Sequence, residues 1–153
     1  MSFAMLIRWA GLASFFAGVL IALAEIIHPV GEYLGAVYSP LWPPAHGLWW
    51  LGVVLLQFGL FGLYACHVDA LGWLGFAGFG LAFFGTSLTA GILFIQTGAV
   101  PLIATSSPAL ANELLYGPVF WVLLNEACFG GGFILFAVAT RRAVCIHAWQ
   151  ACL

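Results

Sequence analysis

Two of the chain's four histidines and two of its five acids fall in one stretch, EIIHPVGEYLGAVYSPLWPPAH, residues 25–46. Glu25 and His28 are spaced to put a carboxylate and an imidazole on one helical face, as in carboxylate-bridged di-metal bundles. Those bundles use two Glu-x-x-His motifs and two further glutamates. One such motif is present here, and Pro29 disturbs the helix that would carry His28. His46 closes the stretch, and Glu32 and Glu113 lie on connections that reach the same side. Glu25, His28, His46 and one more acid would have the donor chemistry of a Zn or Cu site. Two histidines from different helices would alternatively serve as axial ligands of a haem. The plainer reading needs no cofactor: interfacial histidines bonded to water and loop carbonyls.

A second set of polar residues lies inside apolar runs. Gln57, Thr86, Ser87, Thr89, Gln96, Asn125 and Glu126 interrupt otherwise hydrophobic sequence. An ionisable group within a membrane span is a functional hypothesis by default. Counting from Pro118, Glu126 falls about 12 Å into its helix. Burial would hold its carboxyl protonated, able to hydrogen-bond Gln57 or Asn125. The bland role is interhelical glue at about 0.6 kcal/mol per bond; the sharper one is a proton relay or cation site.

Composition says what must surround these groups. The 153 residues are 65% hydrophobic and 5% charged, against about 25% charged in soluble domains. So few charges cannot cover a water-soluble globule, so lipid must act as solvent. The net charge is -2, with three arginines and no lysine, which excludes a phosphate-binding basic face and with it nucleic-acid partners. Cys66, Cys128, Cys145 and Cys152 form no C-x-x-C pair and read as buried or cytosolic thiols.

The elements that position the polar groups are four apolar helices of a single transmembrane domain, 1–153. They are expected at about 9–27, 44–66, 71–100 and 118–140, since about 20 apolar residues cross a bilayer. His28-Pro29 closes the first, and Pro44 suits the opening turn of the second. "CHVDALG" makes a short turn in which Asp69 would cap the third helix. Pro101 stops the third helix, and Pro118 opens the fourth. The fold class is therefore all-α: an integral membrane four-helix bundle.

Arg8 precedes the first helix and Arg141 and Arg142 follow the fourth, while neither outer connection carries Lys or Arg. The positive-inside rule then places both termini in the cytoplasm. Trp42, Trp49, Trp50, Tyr33, Tyr38, Tyr116 and Trp121 should line the outer interface. Trp9, Tyr64, Trp73 and Trp149 should line the inner one. "ALAE" at 22–25 has the small-x-small form of a cleavage site, but the apolar run is long for a leader, and an uncleaved first helix is expected. Gly72, Gly75, Gly78, Gly80 and Gly85 crowd one helix, and Gly130-Gly131-Gly132 interrupt the fourth, where three weak helix formers would also permit a kink. Small residues let helices approach closely in lipid, so bundle packing is their first explanation. "GLASFFAG" and "GLAFFG" echo one another loosely; chance recurrence of apolar residues is the first explanation and an internal duplication of two helical hairpins the second.

The runs GLASFFAGVLIALAEIIHP and SPLWPPAHGLWWLGVVLLQFGLFGLYA resemble a loose group of small bacterial four-helix membrane proteins. The likeness lies in the glycine-rich first helix, the His-Pro step and the "AH" opening the second helix. It implies the architecture and a bacterial inner-membrane home, and transfers no activity.

No Gly-x-Ser-x-Gly, phosphate-binding glycine loop or paired-histidine zinc motif appears, so hydrolase, nucleotide and zinc-protease chemistries lose their usual support. The leading expectation is a non-enzymatic structural or accessory subunit, in contact with lipid and with other membrane subunits or copies of itself. A metal- or haem-binding redox protein using Glu25, His28 and His46 stands second. An oligomeric transporter or proton pathway through Glu126 and Gln57 stands third.

Overall fold

The computed structural model describes residues 2–31, 33–117 and 119–150. The described residues are helical, joined by short connections, with no strand among them. Five elements follow in order: α1 (Phe3–Ile27), α2 (Tyr33–Val37), α3 (Trp42–Ser106), α4 (Pro108–Tyr116) and α5 (Val119–Gln150). Three stretches are long and apolar enough to cross a membrane: Phe3–Ile27, Trp42–Ser106 and Pro108–Ala143.

α3 is not one rod. Gly72 breaks its helical geometry at φ 59°, ψ -164°, a region open to glycine because it has no Cβ. The two arms fold back on each other there. Tyr64 stacks on Phe79 with ring centroids 4.4 Å apart. Farther along, Gln57 reaches Ser87 and Trp42 reaches Gln96. The turn expected over "CHVDALG" is thus concentrated in one residue. Asp69, expected to cap the return helix, instead lies exposed in the last helical turn before Gly72.

The helix boundaries differ from expectation for local reasons. α1 starts at Phe3, not near Trp9, because Ser2 caps it: its Oγ accepts from the Met5 N–H at 3.3 Å. α3 begins at Trp42, with the prolines in its first turn where a missing N–H does no harm. Pro101 does not end the helix, which runs on to Ser106. A proline within an apolar helix is tolerated where neighbouring elements hold the backbone. α5 is continuous through Gly130-Gly131-Gly132 and past Arg141 and Arg142 to Gln150, so the triple glycine makes no break. Pro118, expected to open that helix, lies outside the described residues.

Small residues set the packing. In α1 the buried positions are Ala10, Ala17 and Ala24, one every seven residues. Ala10 and Ala17 face glycines of the outgoing arm of α3, where a Cβ on Gly52 would lie 3.2 Å from the Ala17 carbonyl oxygen. A Cβ on Gly62 would strike Ala10, one on Gly59 would strike Ser14, and one on Gly52 would lie 2.7 Å from Ile21 Cγ1. The return arm meets α5 in the same way. A Cβ on Gly78 would lie 2.9 Å from the Phe136 Cα, one on Gly85 2.6 Å from the Phe129 Cα, and one on Gly132 2.7 Å from the Ala82 Cα. In both seams the partner numbers fall as the other rises, so each pair is antiparallel. Close backbone approach gives the dispersion contact that joins helices where solvent and side chains are equally apolar. Many large apolar side chains point outward instead, Trp9, Phe15, Trp73, Phe94 and Leu123 among them.

The connections at the end opposite Gly72 form a packed cap. Ala36 and Val37 of α2, Ala111 of α4, and Trp42, Val100 and Ala104 of α3 make one buried cluster. Tyr38 Oη donates to the Ala104 carbonyl at 2.8 Å. That carbonyl is available because the residue four on is Pro108, which has no N–H to bond it.

Candidate functional site

Under the cap, the first two turns of α3 meet the C-terminal end of α1. Because α3 begins at Trp42, His46 lies one turn beyond it on the same face. The two rings stack, with centroids 3.9 Å apart and planes 27° from parallel. His46 Nδ1 lies 3.0 Å from the Trp42 carbonyl oxygen. A carbonyl can only accept, so Nδ1 carries the proton and donates. The lone pair is then on Nε2.

His28 comes from α1. It is the residue after the last helical turn, with ψ 127°, the extended backbone that Pro29 favours in its predecessor. Its ring centroid lies 5.1 Å from that of His46, with the planes 53° apart. Two tryptophans complete the surroundings. Trp42 lies 5.6 Å from His28, and Trp49 lies 5.9 Å from His28 and 6.1 Å from His46. His46 is 1% exposed and Trp42 fully buried, whereas His28 is half-buried. Trp42 is held from its far edge, where Nε1 donates to the Gln96 carbonyl at 2.8 Å. Trp42, expected as an interfacial anchor, is instead a wall of this site.

The other residues singled out from the sequence are distributed differently. Glu25 is exposed on α1, and Glu113 is exposed on α4 at the cap end. Glu32 lies outside the described residues. Among the described residues, no group of three or more His, Cys, Asp or Glu side chains is placed to hold a metal ion. The structure therefore joins His28 to His46 and leaves Glu25 apart. The 5.1 Å ring spacing is also too short for a porphyrin between them, since two axial imidazoles at about 2 Å from one iron stand about 6.4 Å apart, centre to centre.

Polar residues within the apolar helices form a separate layer midway along the bundle. Gln57 Nε2 donates to Ser87 Oγ at 2.7 Å and to Thr86 Oγ1 at 3.3 Å, which ties the two arms of α3. Thr89 Oγ1 donates to Asn125 Oδ1 at 3.2 Å, which ties the return arm to α5. Thr86 is fully buried and donates its own proton to helix carbonyls. Glu126 takes no part in this layer: it is exposed, about 100° around α5 from the buried Asn125. Cys66 and Cys128 are free thiols; the side chains of Cys145, His147 and Cys152 lie outside the described residues.

The tryptophans around the histidines were missed in the sequence. The available signal was Trp-x-x-x-His at 42–46, legible once the helix is started two residues before Pro44. No protein-family model matches the chain, and no curated protein or solved structure matches it either. Its chemistry must be read from its own residues.

Proposed function

We propose that the chain is a multi-pass protein of the bacterial inner membrane that serves as a structural or accessory subunit of a membrane assembly. α1, the two arms of α3 and α5 would supply four crossings. Each is longer than the ~30 Å hydrocarbon core at about 1.5 Å per residue. The exposed arginines Arg8, Arg141 and Arg142 belong to the end of the bundle where α3 turns at Gly72. The cap end has no Lys or Arg in its connections. By the positive-inside rule the Gly72 end and both termini are cytoplasmic, and the cap with its histidines faces outward.

The subunit reading is carried by Glu126. It lies about two turns into α5, on a strip of exposed apolar side chains that includes Val119, Val122, Leu123 and Ile134. A carboxyl group facing hydrocarbon is costly and is usually turned to a protein partner. Among the described residues Gln57 and Asn125, the polar side chains expected to meet it, bond elsewhere. That arrangement favours a lateral neighbour over a proton path through the bundle.

The test is a photo-crosslinking amino acid at Leu123, one turn before Glu126, in membranes of the producing cell. An adduct with a second membrane polypeptide or a second copy, weakened by Glu126→Leu, is expected. Adducts with lipid alone would remove the subunit reading.

A further inference from the structure

We propose that His28 and His46 together hold a single copper or zinc ion beneath the cap, with water completing its coordination. This stands apart from the subunit reading and needs neither Glu126 nor a partner chain.

Three observations converge on the pair. The first is spacing. An imidazole bound at about 2.0–2.1 Å has its ring centre about 3.2 Å from the ion, so two such rings at a tetrahedral angle stand about 5.2 Å apart. The observed separation is 5.1 Å, with the planes inclined by 53°. The second is the tautomer. Metal-ligating histidines characteristically donate their other ring N–H to a carbonyl or carboxylate, which fixes the ring and leaves the second nitrogen its lone pair. The Trp42 carbonyl does this for His46. The third is the setting. Trp42 and Trp49 flank both rings, and the Gln96 carbonyl holds Trp42 in turn. One ligand is thus rigid and buried, and the other is half-buried at a helix end, open to entry from outside.

The donor set selects the ion. Neutral imidazoles suit copper and zinc, and for a nitrogen site the divalent series favours copper over zinc. Two protein ligands leave positions open to water, so the ion would be exchangeable and its affinity below that of a closed structural site.

The experiment uses the full chain, purified in detergent and stripped with a chelator, titrated with Cu²⁺ while tryptophan emission is followed. One equivalent should partly quench the emission, through Trp42 and Trp49, and Zn²⁺ should compete with the quenching. His28→Gln should weaken binding about a hundredfold while helicity by circular dichroism is unchanged. His46→Gln should abolish it. Because His46 is buried and that variant can fail to fold, His28→Gln is the deciding one. Glu25→Gln and His67→Ala should titrate as the unmodified chain does. Quenching that fails to saturate at one equivalent, or that survives His28→Gln in folded protein, would overturn the proposal. So would loss of binding in Glu25→Gln or His67→Ala, which would move the donors elsewhere.

Discussion

Trp42 Nε1 donates to the carbonyl oxygen of Gln96 at 2.8 Å, tying the first residue of α3 to the far part of its own return arm. The bond closes the hairpin at the end opposite Gly72 and fixes the indole against which His46 stacks. Trp42→Phe keeps most of the apolar volume and removes the N–H. A loss of about 1 kcal/mol is expected for the bond, with more from the smaller ring. Amide exchange in detergent should show faster exchange confined to the first turns of α3, to α2 and to α4. An effect spread evenly along the chain would contradict this account of the cap.

The glycines divide into those that touch and those that do not. At Gly85 and Gly132 an added Cβ would meet backbone of the facing helix, while at Gly130 and Gly131 it would meet nothing within 4 Å. Backbone cannot swing aside as a side chain can. Gly85→Ala and Gly132→Ala should each cost about 1–3 kcal/mol, the range for overpacking. Gly131→Ala should be neutral or slightly stabilising, since glycine is the weaker helix former. Unfolding in mixed micelles checks the contrast. Equal losses at Gly131 and Gly132 would deny that contact decides.

These two cases show what the sequence could convey. Apolar runs and prolines mark the helical pairs and bring His28 and His46 to one end, and the structure shows that juxtaposition. Pro101 misleads because its cost depends on whether neighbours hold the helix around it, a tertiary fact. The triple glycine misleads because three weak helix formers look like a break, whereas Gly132 alone is needed, for contact with Ala82. Starting the second helix at Pro44 hid the Trp42–His46 pair, since one turn of register decides which side chains share a face. The sequence does not say which face of its helix Glu126 takes. Depth follows from counting, whereas azimuth follows from which face packs.

The polar layer should act as glue and not as a path. Gln57→Leu removes two donated bonds and Asn125→Leu one accepted bond, at about 0.6 kcal/mol each. Stability should fall by about 1.2 kcal/mol for Gln57→Leu and about 0.6 kcal/mol for Asn125→Leu, and proton flux in liposomes should match the unmodified protein. Flux that is present and disappears on substituting Gln57, Asn125 or Glu126 would restore the conduction reading.

The orientation has an independent check. A reporter active only in the cytoplasm, fused after Leu153, should be active, and one inserted between Tyr38 and Leu41 should be silent. Removing the charges, with Arg8→Gln, Arg141→Gln and Arg142→Gln combined, should scramble the result, because under the positive-inside rule those arginines would set the proposed topology. An external C-terminus in the unmodified chain would put the histidines on the cytoplasmic side.

Gly72 is the position on which the hairpin of α3 depends. Its φ of 59° with ψ -164° suits no side-chain-bearing residue, yet a Cβ there would meet no atom within 4 Å. A substitution should therefore act through backbone strain alone, about 1–3 kcal/mol, and alanine should do nearly as much harm as valine. At Gly85, by contrast, the larger side chain should be far worse, because there the obstacle is the facing helix. Comparing Gly72→Ala, Gly72→Val, Gly85→Ala and Gly85→Val by denaturation in micelles separates the two causes. If Gly72→Ala unfolds like the unmodified chain, the turn does not require that backbone conformation.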